Sequence, residues 1–334
     1  TERPEVLSVE LTRSSMATDE QSTLTPEAAF SVLGDDTRLT VLQVLGAADE
    51  PLAFSELFDR VEYGDASNFN YHLKRLVGHF VEKTEHGYRL RQAGHRVVEA
   101  VLSGAVTEAP SIDRTPIDRA CQHCGASSVE VEYREEQVGI YCPECAGQYG
   151  ETSDGDRPAD RERIGYVYLP PAGVHGRTPA EMTEAAFVWT VAQTQALHRG
   201  VCPRCSAPVD DAIDICETHD PTDGRCDHCN RRYAAVVHTA CTNCPFELGG
   251  SAIGYLHTET ELLAFLFGHG FDPFAAPFPS TLEAASVEEE LLGADPIELR
   301  FTFSIGDDTL ALTVDADLNV VSTATSSTPE DGER

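Results

Sequence analysis

Lysine is nearly absent from this chain. Of its 24 basic side chains only Lys74 and Lys83 are lysines, while 56 carboxylates give a formal net charge of −32. That balance excludes a generally basic surface, so any contact with phosphate has to be concentrated in one place. Long apolar runs are missing too. The densest, Leu262-Leu-Ala-Phe-Leu-Phe267, falls far short of the roughly 20 residues that span a bilayer. No positively charged start leads into an apolar segment, so secretion is not indicated and a cytoplasmic location is expected. Enzyme signatures are lacking as well. There is no phosphate-cradling glycine loop, no nucleophile elbow and no carboxylate pair that stands out from the acidic background, so catalysis is not expected.

What is present suits a folded protein of several parts. A length of 334 residues with 41% hydrophobic content implies two to four domains. Acidic runs such as Ser153-Asp-Gly-Asp and Glu288-Glu-Glu290 are spread along the chain rather than gathered in a tail. This composition resembles that of extremely salt-loving archaea, whose carboxylates keep surfaces hydrated in concentrated salt. An acidic surface that mimics nucleic acid or recruits a basic partner is the competing reading. Met16 opens a more ordinary N-terminus, and residues 1–24 are expected to be a disordered extension.

Cysteine is the strongest positive signal. Ten of the eleven cysteines form five C-x-x-C pairs: Cys121/Cys124, Cys142/Cys145, Cys202/Cys205, Cys226/Cys229 and Cys241/Cys244. The eleventh, Cys216, is followed three residues later by His219, so twelve ligands divide into three tetrahedral sites. In a cytosolic chain this spacing points to about three structural zinc ions rather than disulfides. Cys121/Cys124 with Cys142/Cys145 forms one zinc ribbon, residues 118–150, around a predicted hairpin over 129–141. The remaining four pairs read as tandem ribbons over 200–245, the first pair closing with the second and the third with the fourth. A cross-braced pairing, first with third and second with fourth, uses the same ligands. His123, His228 and His238 exceed the four-ligand count. His257-Thr-Glu259 has the H-x-E form of zinc deaminases but no P-C-x-x-C follows it, so it reads as a helix start.

Both lysines fall in one locally basic stretch. Between Arg60 and Arg96 there are seven Lys/Arg against four Asp/Glu, on what reads as a helix and a tight hairpin. Helices are expected from Thr25-Pro26 to Gly34, from Asp35 or Asp36 to Gly46, over Ser55–Val61, from Asp65 to Val77, and over Gln92–Leu102. In the fourth, Phe69, Leu73, Leu76 and Val77 repeat at helical spacing and face inward. The opposite side offers Ser67, Asn68, Asn70, Tyr71, Lys74 and Arg75 toward a major groove, while Lys83, Arg89 and Arg91 of the hairpin reach phosphates. Double-stranded DNA is the partner this surface implies.

That order over residues 25–104 resembles the ArsR-like winged helix-turn-helix regulators. Leu33-Gly-Asp-Asp-Thr-Arg-Leu39, Asn70-Tyr-His-Leu-Lys-Arg-Leu76 and Tyr88-Arg-Leu-Arg-Gln-Ala-Gly94 carry the likeness. The resemblance implies a sequence-specific transcription regulator, and a homodimer formed through Gln92–Leu102 and the first helix. Phe54–Val61 holds no cysteine, so metal sensing through that helix is not implied. A winged helix followed by a ribbon is also similar to an archaeal general initiation factor, which implies a protein-interaction adaptor instead.

The remainder is expected to be an α+β domain over 160–322, stapled by zinc and containing the tandem ribbons. Gly104–Ile117 and Gly150–Arg163 read as linkers. Tyr166–Leu169 reads as a strand, and Thr178-Pro-Ala-Glu181 as a capping box opening a helix to about His198. Met182, Ala186, Trp189 and Leu197 line one side of that helix. Thr258 is expected to cap a helix over Glu259–Phe267. Strands Glu298–Ile305 and Thr309–Val314 turn at Gly306-Asp-Asp308, Leu318–Ser322 adds a third, and 323–334 form a disordered tail.

Overall fold

The computed structural model describes residues 24–148, 163–221, 224–272 and 285–327. The expected extension over 1–24 and the linker over 150–163 therefore lie almost wholly outside the described residues, as does the tail from 328. The chain divides into two compact units between Leu102 and Ser103. Both mix helices with small antiparallel sheets, in keeping with an α+β class.

In the first unit the helices are α1 (Pro26–Leu33), α2 (Asp36–Gly46), α3 (Phe54–Val61) and α4 (Ala66–Leu76). The hairpin β1 (Val81–Thr84) and β2 (Gly87–Leu90) and then α5 (Gln92–Leu102) follow. Local chemistry sets the helix starts. Thr25 Oγ1 accepts from the Ala28 amide at 3.3 Å, Asp35 caps α2 through the Arg38 amide at 3.1 Å, and Asp65 caps α4 through the Ser67 and Asn68 amides at 2.8 and 3.3 Å. Each such cap contributes about 1 kcal/mol. Val41, Leu42, Leu45, Leu57, Phe69 and Leu73 close the core between α2, α3 and α4. Gly87 sits at φ +137, and a Cβ there would run into the Leu52 carbonyl. Only glycine lets the hairpin lie against Leu52, which exchanges two backbone hydrogen bonds with Tyr88, at 3.0 and 2.8 Å.

Among the described residues the second unit holds three sheets. β3 (Ile112–Pro116), β4 (Glu130–Arg134), β5 (Gln137–Tyr141) and β6 (Arg163–Tyr168) pair in that order. Two expectations change here. β3 lies inside the stretch read as a linker, and β6 joins the first ribbon's sheet instead of opening a separate domain at 160. Helix α6 (Pro179–His198) covers this sheet, opened by the expected capping box of Thr178 and Glu181. Met182 and Ala186 are fully buried on it, but Trp189 is 43% exposed. The helix is rotated so that Phe187 takes the inward place.

The second sheet is β7 (Val209–Ile215), β8 (Ala235–Cys241) and β9 (Glu247–Ser251). After the short α7 (Ile253–Leu256) comes α8 (Thr260–Gly268), whose cap is Glu259 rather than Thr258. The Thr258 hydroxyl is turned back to the Tyr255 carbonyl, at 3.4 Å, and so cannot cap forward. The third sheet runs β10 (Ser286–Ala294), β11 (Ile297–Ile305), β12 (Asp308–Val314) and β13 (Val320–Ser326). β13 extends the expected third strand into the presumed tail. β10 was hidden by its three glutamates, which read as a solvated run. Leu299, Phe301, Phe303, Leu310 and Leu312 alternate inward against Ala235 and Val237 of β8 and Leu256 and Leu262 of the helices.

Phe301→Ala empties a fully buried site and is expected to cost the second unit about 3–5 kcal/mol. Val321→Ala, on the exposed edge strand, should change it by less than about 0.5 kcal/mol. Urea titrations of the three proteins followed by circular dichroism check the contrast.

Candidate metal centres and an exposed helix face

Four of the cysteine knuckles repeat one backbone design. The first cysteine's amide donates to the carbonyl five residues on, and the amide four residues on donates back to its carbonyl. Cys121 with Ala126 and Gly125, Cys202 with Ala207 and Ser206, and Cys226 with Arg231 and Asn230 show the pattern in full, at 2.7 to 2.9 Å. Cys241 bonds to Phe246 in the same way, at 2.9 Å. The residue after the knuckle is left-handed at Gly125 (φ 73), Ser206 (φ 63) and Asn230 (φ 55). This turn aims both thiols to one side and points amides at sulfur. The His123, Arg204 and Asn243 amides donate to Cys121, Cys202 and Cys241, each at 3.4 Å.

Three groups of four ligands result. Cys121, Cys124, Cys142 and Cys145 form the first, as expected from their isolation in the chain. The other two are Cys202, Cys205, Cys241 and Cys244, and Cys216, His219, Cys226 and Cys229. Within each, the ligand atoms all lie within 4.8 Å of one another, so all three groups could hold a metal ion. The tandem pairing is therefore overturned, and the cross-braced one with it. The four pairs are nested, outermost with outermost and inner with inner.

The reason is the register of one hairpin. β7 and β8 pair antiparallel, with Val209 opposite Cys241 and Ile215 opposite Ala235. The knuckle before β7 and the knuckle ending β8 thus share one end of the hairpin. The Cys216/His219 and Cys226/Cys229 pairs, after β7 and before β8, share the other. Neither alternative pairing is compatible with that register, because each would join ligands about seven residues, or 20 Å or more, apart along the strands.

Sulfur atoms face each other at 3.8 Å for Cys121 and Cys145, 3.6 Å for Cys124 and Cys142, 3.7 Å for Cys202 and Cys244, and 3.5 Å for Cys205 and Cys241. His219 turns Nδ1 toward Cys229, at 3.4 Å, while Nε2 meets the Arg232 carbonyl at 3.0 Å. The outer nitrogen's hydrogen bond fixes ring and tautomer for ligation through the inner one. Amide donors, from Asp220 above all, lower the Cys226 thiol to about 7, and those of Cys244 and its neighbours lower Cys241 to about 6. Burial pushes Cys121 up instead. His123, His228 and His238 lie outside the three groups. Glu259 pairs with His198 at 2.9 Å, and neither it nor His257 joins a metal group.

In the first unit α4 is sharply two-faced. Phe69, Leu73 and Leu76 are buried, whereas Ser67, Asn68, Tyr71, Lys74 and Arg75 are exposed and Asn70 is half-buried. Lys74 and Arg75 make no ion pair among the described residues. The hairpin offers less than its composition implied. Arg89 is paired with Glu82 at 2.9 Å, and Arg91 donates to the Gly78 carbonyl. Lys83 remains exposed, with its ammonium 5.8 Å from the Tyr88 ring centre. Asn68 donates to the Tyr63 hydroxyl at 2.6 Å.

Residues 118–320, more than half of the chain, match a family described as Domain of unknown function (DUF7351), and the protein belongs to that family. Residues 26–101 match a second, Domain of unknown function (DUF7347), whose span coincides with the helices and hairpin of the first unit. No curated protein and no solved structure matches the chain.

Nested pairing has a direct stoichiometric consequence. The double variant Cys202→Ser, Cys244→Ser should lose one bound metal per chain, because both residues serve one group. Under tandem pairing it would lose two. Elemental analysis of the purified protein distinguishes the outcomes.

Proposed function

We propose that the protein is a DNA-binding transcription regulator whose first unit is a winged helix-turn-helix of the ArsR-like type, and whose metal groups hold structural zinc. The observation that carries the first part is the two-faced α4. Its inner side is locked by Phe69, Leu73 and Leu76, and its outer side presents hydroxyl, amide, phenol and two cations, while Lys83, the only other lysine of the chain, is exposed on the hairpin that follows. Such a helix suits a major groove, with Ser67, Asn68, Asn70 and Tyr71 toward base edges and Lys74 and Arg75 toward phosphates. Of the hairpin cations, Lys83 is the one available for the backbone, since Arg89 and Arg91 are engaged within the protein.

Homodimerisation of the DNA-reading unit is part of this reading. Phe30 on α1 and Leu102 on α5 are 74% and 69% exposed, as apolar anchors awaiting a partner surface would be. The scattered carboxylates fit a cytoplasm of concentrated salt, where the local cations of α4 act at short range only.

Zinc is supported by the donor chemistry. Thiolate and imidazole are its preferred ligands, and Zn–S bonds of about 2.3 Å place sulfurs roughly 3.8 Å apart on a tetrahedron. The observed separations of 3.5 to 3.8 Å match that edge. Four protein ligands close each sphere and leave no open position for a reactive water, which favours a structural role over a hydrolytic one.

Chromatin immunoprecipitation in the native host tests the proposal, with Lys74→Glu as the paired variant. Discrete peaks sharing a palindromic motif and lost in the variant are expected. The variant's thermal melt should be unchanged, because Lys74 is exposed and unpaired within the described residues. Diffuse signal at all active promoters, or peaks that survive the substitution, would overturn the base-reading role and favour a transcription-machinery adaptor.

A further inference from the structure

The second unit contains a cleft of about 900 Å³, bounded by the β3–β6 sheet, α6, the β7–β9 sheet and β10. Small-molecule sites span roughly 300–1,000 Å³. Two lining residues, Gly165 and Gly254, show the space directly, because an added Cβ at either would meet nothing within 4 Å.

The walls have a definite character. Tyr166 and Tyr233, both half-buried, supply aromatic surface, and the buried Tyr255 and Phe187 also line the cleft. The Tyr166 hydroxyl is anchored on the Gly249 carbonyl at 2.9 Å and the Tyr255 hydroxyl on Thr239, so these rings are held in place. Charge in the lining is lopsided, with Glu217, Glu288, Glu289 and Glu290 against Arg119 and Arg232, and of the three strand glutamates only Glu289 is turned inward. Both arginines are engaged by the protein. Arg119 lies 3.8 Å from Glu184, and Arg232 donates Nε to the Gly147 carbonyl at 3.2 Å.

Glu289 is the focal group. Its strand position turns it inward between two outward glutamates, and its carboxylate accepts from the backbone amides of Ala234 and Ala235. Burial raises it to about 7, although the two amides and the charge of Arg231 pull it the other way. A ligand cation beside it would restore the charge that burial disfavours. His257, which also lines the cleft, is held neutral by burial, at about 3, and adds no competing positive charge.

We propose that this cleft is a binding site for a planar aromatic cation of the amidine or guanidine class. The ring lies against the tyrosines and the charged edge pairs with Glu289. Neither α4 nor DNA enters this assignment, so it stands or falls apart from the regulator reading.

Calorimetric titration of the full metal-loaded chain with benzamidine, benzamide and benzoate tests it. Benzamidine should bind, benzamide roughly tenfold more weakly, and benzoate not at all. Glu289→Gln should weaken benzamidine roughly tenfold, to the level of benzamide, and leave benzamide unchanged. Gly254→Phe, which fills the open space with a side chain, should abolish both, and it decides the matter if the Glu289 variant loses its metal or its fold. Equal affinity for benzamidine and benzamide, no binding at millimolar concentration, or binding indifferent to the Gly254 substitution would overturn the assignment.

Discussion

The second unit depends on the antiparallel pairing of β7 with β8. That register sorts four ligand pairs to two ends of one hairpin, so that two metal groups staple it top and bottom. The inner face of β8, through Ala235 and Val237, then becomes part of the core under β11 and β12. Glu289 of β10 reaches the first amides of the same strand. The hairpin is therefore at once the scaffold of two metal groups, a wall of the large sheet's core and one side of the cleft. A metal bound by these thiols would contribute directly to folding, so that ligand geometry and fold would be a single equilibrium.

The first unit works by a different economy. Among the described residues it holds no candidate metal group, and its definition comes from caps, a helical apolar stripe and a hairpin pinned to Leu52. What it leaves outside is a short, basic helix face on a chain of net charge −32. The contrast is the functional point. Both lysines of the chain lie in this unit, and Arg89 and Arg91 of the hairpin are drawn into the protein's own structure.

Much of this was legible before any coordinates. Thr25-Pro26, Asp65 and Thr178-Pro-Ala-Glu181 announce helix starts through side chains that can satisfy orphan amides, and all three do so. The spacing of Phe69, Leu73 and Leu76 marks the inward face of α4, and the twelve Cys and His side chains fall into three groups of four. Reading failed where a side chain's role depends on a distant partner. Glu288-Glu-Glu290 looks solvated until β11 lies alongside it and the Ala234 and Ala235 amides need an acceptor. Trp189 sits on an apolar stripe, yet the sheet beneath α6 is met by Phe187. β3 is short and polar, and becomes a strand only because β4 offers an edge, while β6, read as a strand, has its place beside β5 set by that sheet's other edge.

Spacing alone settled that cysteines act in pairs, because a tight turn four residues long can aim two thiols at one point whatever surrounds it. It settled the two-faced helix for the same reason, since helical period is a local property. Which pair meets which was decided by the fold, because ligands some twenty residues apart are brought together or held apart only by strand register. The cleft and its inward glutamate belong to the fold as well. A cleft is a property of how sheets and helices fail to touch, and no residue carries it by itself.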